Sequence, residues 1–301
     1  MNAYPKISLV TQVFNRERYI AQTIESVLSQ QYPNLEYIVI DDGSTDKSWE
    51  IIQRYAHDLA RCEQFPGMRT TPVPAINRGF SFAGGEILGW LNTKNTLLPK
   101  SLFSVADAFG SFPEIEWLTG LASVLDDYGR VVKVSSLRKN KYDFLIRDWR
   151  TIQQESTFFR RSLWERTGGA LSEKYPWSFD TGLWIKFFQE AELYHLTTLV
   201  GTYRKVPSGQ SVRDRAVFEE HTEKALKELY DSVSSRDRTL AMAYRILRLG
   251  KPLLRNIPNK LYLQIPLLNS FYHRTVEFDS FADGVWSLHT YRRNPFRATL
   301  S

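Results

Sequence analysis

The chain has 301 residues and a mass of 35.0 kDa, enough for one large or two modest domains with a buried core. Its hydrophobic fraction of 43% and charged fraction of 24% are those of an ordinary globular protein and exclude a disordered chain. No segment contains the roughly 20 consecutive apolar residues of a membrane-spanning helix. The composition therefore also excludes a transmembrane protein.

The first residues and the cysteine content indicate the compartment. Residues 1–6 lead directly into a strand-like segment, without the charged head, apolar run and cleavage site of a secretory signal. We therefore expect a cytoplasmic protein. Cys62 is the only cysteine, which excludes an internal disulfide and a cysteine metal cluster. The net charge of +6 and the pI of about 9.2 favour an anionic partner.

The first hundred residues alternate between strand-like and helix-like patterns. Apolar runs predict strands at 7–13, 35–40 and 87–91, and apolar stripes at helical spacing predict helices at 18–30, 48–60 and 76–83. This alternation predicts a doubly wound α/β sheet. Ligands of such sheets bind beyond the carboxyl ends of the strands.

An acidic segment, residues 41–46, directly follows the second predicted strand. Asp41 and Asp42 would repel one another in a dry pocket, so we expect one of them to serve the fold and the other a ligand. The alternative is a turn whose Asp and Ser side chains cap the next helix. The spacing does not match an EF-hand calcium loop. Gly85 stands where a phosphate-binding loop has its lysine, which excludes a Walker site.

Short motifs follow one another in order between residues 5 and 215. They are 8–15 (SLVTQVFN), 41–46 (DDGSTD), 75–80 (AINRGF) with 85–88 (GEIL), 154–161 (QESTFFRR) with 168–169 (GG), and 180–184 (DTGLW), with 203–204 (YR) after them. In this order the motifs resemble those of family 2 glycosyltransferases. The resemblance implies a GT-A fold. It also implies transfer of a sugar from a nucleotide-sugar donor to an acceptor, with inversion at the anomeric carbon.

The resemblance assigns the nucleotide to the first two motifs. Asp41 and Asp42 match the acidic pair that binds a pyrimidine imide and the ribose, so the expected donor is a UDP-sugar. Gln12 replaces the proline usual in the family, and Phe14 has core packing as its alternative role. The residues predicted to bind the nucleotide are Thr11, Gln12, Phe14, Glu17, Asp41 and Asp42.

The later motifs match the acceptor side of the family. Asp180 matches the catalytic base, which removes a proton from the acceptor hydroxyl as that hydroxyl attacks. Its local alternative is an N-terminal cap of the following helix. Gln154 and Glu155 are expected beside the sugar. The alternative for Glu155 is a structural role at the start of a strand. Trp184 is either a platform near the acceptor or a core anchor.

The acidic cluster that holds a divalent metal in the family is absent. The chain has Asn92-Thr93-Lys94-Asn95 at that place, and Val206 replaces a later metal-proximal histidine. A protonated lysine cannot bind a hard cation, so the sequence disfavours a divalent metal. In one explanation Lys94, with Asn92 and Arg204, binds the diphosphate in a metal-independent transferase. In the other the protein is a catalytically silent binding or assembly module.

The composition changes beyond residue 215, which predicts a GT-A domain at 1–215 and a helical segment at 216–301. Residues 236–273 combine seven basic residues and one acidic residue with many aliphatic ones. This pattern is typical of a segment that lies on an anionic membrane surface, here the inner face, and it fits a saccharide or lipid-linked acceptor. The alternative is an ordinary helical appendage. No motif for nucleic acid is present, and the sequence leaves a homo-oligomer open.

Overall fold

The computed structural model describes residues 4–65, 71–135, 139–148, 152–206, 215–249, 271, 273–279 and 285–291. Their strands are β1 (Ile7–Val13), β2 (Leu35–Asp41), β3 (Arg61–Gln64), β4 (Ile87–Trp90), β5 (Thr96–Leu97), β6 (Trp117–Leu125), β7 (Val131–Ser135), β8 (Thr157–Arg160), β9 (Leu193–Arg204), β10 (His273–Asp279) and β11 (Val285–Tyr291). Their helices are α1 (Ile20–Leu28), α2 (Ser48–Arg54), α3 (Val73–Phe82), α4 (Ser101–Ser111), α5 (Lys141–Leu145), α6 (Arg161–Arg166), α7 (Phe179–Glu190), α8 (Arg215–Ser232) and α9 (Ser235–Leu249). No described helix combines the length and the hydropathy needed to cross a bilayer.

All of these strands belong to one mixed sheet with the order β11-β10-β9-β6-β8-β4-β1-β2-β3, while β5 pairs with β9 and β7 pairs with β6. The neighbours β1, β2, β3 and β4 run parallel, and β8 runs antiparallel to both β4 and β6. The predicted α/β class with a doubly wound sheet is therefore confirmed.

Helices cover both faces of the sheet and create two apolar cores. Along β1, Leu9 and Val13 point into the core under α1 and α4, while Val10 points into the core under α3 and α7. This alternation follows from the two-residue period of a strand. Gly79 of α3 lies directly against Val10, where a Cβ atom would overlap the valine. Close packing of α3 on β1 therefore requires glycine at this position.

Two predicted helix boundaries differ from the observed ones for local reasons. The helix predicted at 48–60 ends at Arg54, because the chain must turn to start β3 beside β2, and the N–H of Ala60 already bonds to the carbonyl of Tyr37 at 3.0 Å. The helix predicted from residue 76 begins at Val73. Pro74 lies in its first turn, where the missing N–H of proline costs nothing.

The C-terminal region is not purely helical, which corrects the prediction for 216–301. The helices α8 and α9 account for residues up to Leu249, but 273–279 and 285–291 form an antiparallel hairpin. Its first strand, β10, pairs in parallel with β9, so the hairpin extends the sheet formed by residues 1–215. The membrane prediction for 236–273 falls inside the described residues only for 236–249, 271 and 273.

Candidate functional site

The loops that follow β1 and β2 interlock at the carboxyl edge of the sheet. The backbone N–H of Asn15 donates to Ser44 Oγ at 2.9 Å, and the N–H of Thr45 donates back to Asn15 Oδ1 at 2.8 Å. Asn15 has a φ of 51°, a left-handed conformation that asparagine tolerates better than most residues. Thr93, beyond β4, donates a hydrogen bond to the carbonyl of Gln12. Three loops therefore meet where the topology predicts a ligand site.

Asp41, the last residue of β2, has one carboxylate oxygen that is bound and one that is not. Its Oδ1 accepts hydrogen bonds from the N–H of Ser44 at 2.8 Å and from Gln64 Nε2 at 3.0 Å. Its Oδ2 is buried and has no hydrogen-bond partner within the described chain. Asp42 is also buried, at 3% exposure. A buried carboxylate oxygen without a donor is costly, so the arrangement favours an incoming N–H or O–H donor.

The other predicted nucleotide residues occupy different environments. The hydroxyl of Thr11 lies inside the sheet and shares a hydrogen bond of 3.0 Å with the Tyr37 hydroxyl, so its side chain is committed to the fold. The carboxylate of Glu17 is exposed and accepts a hydrogen bond from the N–H of Lys47. Phe14 is half-buried beside these loops. The structure thus brings Gln12, Phe14 and the acidic pair to one edge, whereas Thr11 lies deeper.

The segment 92–95 is held by distant parts of the chain. Asn95 is fully buried, and its Oδ1 accepts the N–H of Arg204 at 3.0 Å while its Nδ2 donates to Glu155 Oε1. The hydroxyl of Thr23 donates to the Asn95 carbonyl at 3.0 Å. Lys94, between these anchors, has a φ of 153°, and its Nζ lies 4.8 Å from the centroid of the Tyr203 ring.

The Arg204 side chain donates its hydrogen bonds to neighbouring loops. Its guanidinium, 1% exposed, donates to the carbonyls of Lys94, Asp126 and Asp127 at 2.8, 3.1 and 3.2 Å. A further bond of 2.6 Å joins it to Gln22 Oε1. The prediction that Arg204 binds the diphosphate directly is therefore wrong in this structure, because its donors already hold the Lys94 carbonyl and the β6–β7 turn.

Glu155 and Asp180 are carboxyl groups with pKa values near neutrality. Burial raises the pKa of Glu155 to about 7, the positive charge of Lys94 opposes this shift, and the charge of Asp180 adds to it. Burial also raises the pKa of Asp180 to about 6, although its Oδ1 accepts the N–H of Thr181 at 2.7 Å. The N-cap of α7 is Ser178, so Asp180 lies inside the first turn and is not the cap residue itself. The three charged groups share one electrostatic environment.

Trp184 is a core residue, which decides between its two predicted roles. It is fully buried and stacks between Trp90 and Trp117, with ring centroids 5.6 and 5.5 Å away. A role as an acceptor platform is therefore wrong. Gln154 is also buried and donates through Nε2 to the Trp90 carbonyl, while its Oε1 has no partner in the described part of the chain.

The residues at 92–95 do not fit a resident divalent metal. The ammonium group of Lys94 has no lone pair to donate, and both amide atoms of Asn95 are engaged. Asn92 retains one buried oxygen without a partner, Oδ1, but a single neutral oxygen is not a ligand set for Mn²⁺ or Mg²⁺. Within the described ranges, no three His, Cys, Asp or Glu side chains converge on one point.

Two contributors escaped sequence reasoning. Asn95 links Glu155 to Arg204, and Gln64 orients Asp41, yet neither role follows from a local pattern. Each partner lies far away along the chain. Gln64 lies at the end of β3 beside β2, and no strand was predicted from the sequence at 61–64.

The chain matches the sequence model described as Glycosyl transferase family 2 over residues 8–184, more than half of its length. A Campylobacter jejuni protein named GalNAc(5)-diNAcBac-PP-undecaprenol beta-1,3-glucosyltransferase is 26% identical over 200 residues, covering 63% of this chain and 62% of that protein. The matched segments cover about two fifths or less of the first four curated relatives.

Solved structures share the fold at low sequence identity. Staphylococcus aureus TarS 1–349, in complex with UDP-GlcNAc, superimposes with a TM-score of 0.64 at 18% identity over 88% of this chain and 77% of that one. The mannosyltransferase PcManGT from Pyrobaculum calidifontis, in complex with GDP-Man and Mn²⁺, gives a TM-score of 0.52 at 16% identity over 89% of this chain and 86% of that one.

Proposed function

Because the chain belongs to glycosyl transferase family 2, we propose that it transfers a sugar from a nucleotide-sugar donor to a saccharide or lipid-linked acceptor, with inversion at the anomeric carbon. The observation that carries this proposal is Asp180. Its carboxyl group lies half-buried at the carboxyl edge of a GT-A sheet, with a pKa of about 6. A group with this pKa is ionised at neutral pH and basic enough to accept a proton.

In the proposed reaction, Asp180 takes the proton of the acceptor hydroxyl while the hydroxyl oxygen forms the new bond to the anomeric carbon. The electron pair of the breaking bond goes to the phosphate oxygen, and the nucleoside diphosphate leaves from the opposite face. Negative charge grows on the diphosphate during this step, and a nearby cation stabilises it. We assign that cation to Lys94, which forms no ion pair among the described residues.

On the donor side, the proposed acceptor for the nucleotide base is Asp41 Oδ2, which has no hydrogen-bond partner among the described residues. The imide N–H of uracil is a donor that would satisfy it, so a UDP-sugar is the proposed donor class. The relatives support a nucleotide-sugar in general, because TarS is seen with UDP-GlcNAc and PcManGT with GDP-Man. The sugar itself is not part of the proposal.

A thermal-shift panel tests the donor site directly. UDP, GDP, UDP-GlcNAc, UDP-glucose and GDP-mannose are added with Mn²⁺, with Mg²⁺ or with a chelator. A ligand at ~100 times its Kd adds about 2.7 kcal/mol of stability, which shifts the midpoint by a few degrees. We expect the shift of the midpoint to persist with the chelator and to be smaller for Lys94→Ala. The control Lys227→Ala, whose side chain is exposed, should give the same shift as wild type.

A shift that requires metal would contradict a metal-independent donor site. The absence of any shift would contradict the donor site altogether, and would favour a silent binding or assembly module.

We further propose that α9 rests on an anionic membrane surface at the inner face of the membrane, close to a lipid-linked acceptor. Met242 and Ile246, one helical turn apart, are each 63% exposed. Arg238 and Arg245 lie on the same exposed face. Arginines interleaved with large apolar side chains are typical of helices that bind anionic lipid headgroups and insert shallowly.

A further inference from the structure

Glu155 lies inside the candidate site, yet the proposed transfer does not use it. It is 5% exposed, in a 3₁₀ turn (Gln154–Ser156) that packs between the 92–95 segment and β9. Its carbonyl lies so close to Gly201 that a Cβ atom there would overlap it. The backbone of Glu155 is therefore packed tightly against β9, and its side chain is buried.

The orientation of the carboxyl group is fixed as well. The N–H of Arg204 donates to Asn95 Oδ1 at 3.0 Å, so the amide of Asn95 must direct Nδ2 toward Glu155. That Nδ2 donates to Glu155 Oε1. This hydrogen bond is compatible with both the carboxylate and the neutral acid, because Oε1 accepts in either state. The other oxygen, Oε2, is then the atom that takes the proton.

Two neighbouring charges act on Glu155 in opposite directions in the free protein. Lys94 and Asp180 are the titratable groups that act on it, one favouring its ionised form and the other opposing it. Burial works against ionisation, so the pKa of Glu155 lies at about 7. A group in this position responds to any charge that enters the site.

We propose that Glu155 balances the charge of Lys94 in the free protein and takes up a proton from solvent when the donor diphosphate binds. This inference rests on the proposed function of the same site. The diphosphate brings negative charge to Lys94 and leaves the carboxylate of Glu155 as a buried charge without compensation, which is unfavourable. The solvent proton binds at Oε2 during donor binding and returns to solvent when the nucleoside diphosphate leaves. Glu155 is therefore a positioning residue that keeps Lys94 directed to the diphosphate.

Titration calorimetry counts this proton. The best-bound sugar nucleotide among UDP-GlcNAc, UDP-glucose and GDP-mannose is titrated in two buffers of different ionisation enthalpy. The phosphates of these donors are fully ionised near neutral pH, so they contribute no proton of their own. A group with a pKa of about 7 is roughly three-quarters ionised at about pH 7.5, so we expect the wild-type protein to take up about half to three-quarters of a proton per donor at that pH. The Kd should rise up to about tenfold per pH unit above about pH 7.

Glu155→Gln keeps the shape of the neutral acid and the acceptor for Asn95, so it is expected to bind donor with almost no proton uptake and little pH dependence. Glu165→Gln is the matched control, because that side chain is 63% exposed, and it should behave as wild type. Equal proton uptake by wild type and Glu155→Gln would overturn the inference. If the wild-type protein binds donor and takes up no proton, that result alone would overturn the inference. If none of the three donors binds, the proposed function fails first and the inference with it.

Discussion

Asp180 and Glu155 have raised pKa values for one physical reason, which is loss of hydration on burial. Asp180 ionises at about 6, because burial outweighs the hydrogen bond that its Oδ1 accepts from the N–H of Thr181. Glu155 ionises at about 7, because burial outweighs the opposing effects of a backbone hydrogen bond and of the positive charge of Lys94, and the charge of Asp180 adds to the shift. At neutral pH the first is predominantly a base while the second still holds much of its proton.

The first prediction concerns the proposed base. Transfer should rise with pH through about 6 as Asp180 loses its proton, and Asp180→Asn should lower kcat by about 10²–10⁴-fold at every pH. Donor affinity should stay within about twofold, because Asp180 acts on the acceptor. Initial rates across pH, with donor binding measured in parallel, check both statements. Full turnover by Asp180→Asn would show that another group is the base.

The stability of Asp180→Asn distinguishes loss of the catalytic base from misfolding of the variant. A carboxyl group whose pKa is higher in the folded than in the unfolded chain binds more protons when folded, so stability falls as the pH rises from about 4 to about 6, and the full cost is present above about pH 6. Asp180→Asn removes that cost. The variant should therefore be at least as stable as wild type at about pH 8 in denaturant unfolding. A clear loss of stability there would contradict the assigned environment of Asp180.

At the scale of elements, α7 is anchored by an aromatic stack. Trp184 inserts between Trp90 of β4 and Trp117 of β6, and Phe187 meets Trp117 at a centroid distance of 5.3 Å. The stack fixes the helix whose first turn carries Asp180. The sequence predicted a helix after Asp180 but did not show which layer the Trp184 ring enters.

The second prediction follows from that stack. Trp184→Ala should lower the free energy of unfolding by about 3–5 kcal/mol, because a large side chain leaves a cavity between two rings. Denaturant unfolding monitored by circular dichroism measures the loss. Trp49→Ala is the control, because that side chain is only partly buried and a smaller loss is expected. A loss below about 1 kcal/mol for Trp184→Ala would show that the ring is not a core anchor.

The third prediction tests the exposed face of α9. Replacing Met242 and Ile246 by glutamate should reduce co-sedimentation with phosphatidylglycerol vesicles several-fold, since both apolar insertion and attraction to anionic lipid are lost. Raising the salt concentration should weaken wild-type binding as well. Val217→Glu on α8 is the control, with a side chain that is 39% exposed on another helix. Unchanged sedimentation of the double variant would refute membrane contact through α9.

At the scale of the whole molecule, the C-terminal hairpin completes the sheet. Val276 of β10 is fully buried and belongs to the same apolar core as Ile7 and Leu196. The strand it extends, β9, ends at Tyr203 and Arg204 beside the site. The hairpin therefore extends the sheet at one end of β9, while the other end of β9 holds the 92–95 segment.

The fourth prediction separates one folding unit from two. Val276→Ala should lower the free energy of unfolding by about 1–3 kcal/mol in a single transition, seen equally by tryptophan fluorescence and circular dichroism. The matched control is Val285→Ala on the partner strand, which is 57% exposed and should change little. Two separate transitions, with only the smaller one moved by Val276→Ala, would mean that the hairpin folds independently.

Patterns between near neighbours in the chain were sufficient for the first half of the fold. The run at 7–13 and the order of the motifs predicted β1, the α/β class and the family, all of which are confirmed. They also predicted that the acidic pair follows β2 at the carboxyl edge, because the direction of parallel strands follows from the connections between them. The roles of Asp180 and Lys94 in catalysis stay predictions.

The sequence by itself determined the fold class, the family and the loss of carboxylates at 92–95, because each depends on residue type and spacing along the chain. Only the tertiary structure decided that Arg204 holds a loop, that Trp184 fills a core and that Asn95 directs Glu155. The physical reason is distance along the chain. Arg204 lies 109 residues from Asn95, and Glu155 lies 60 residues from it. Such partners meet only when the sheet has formed, and no local pattern records which of them share one buried environment.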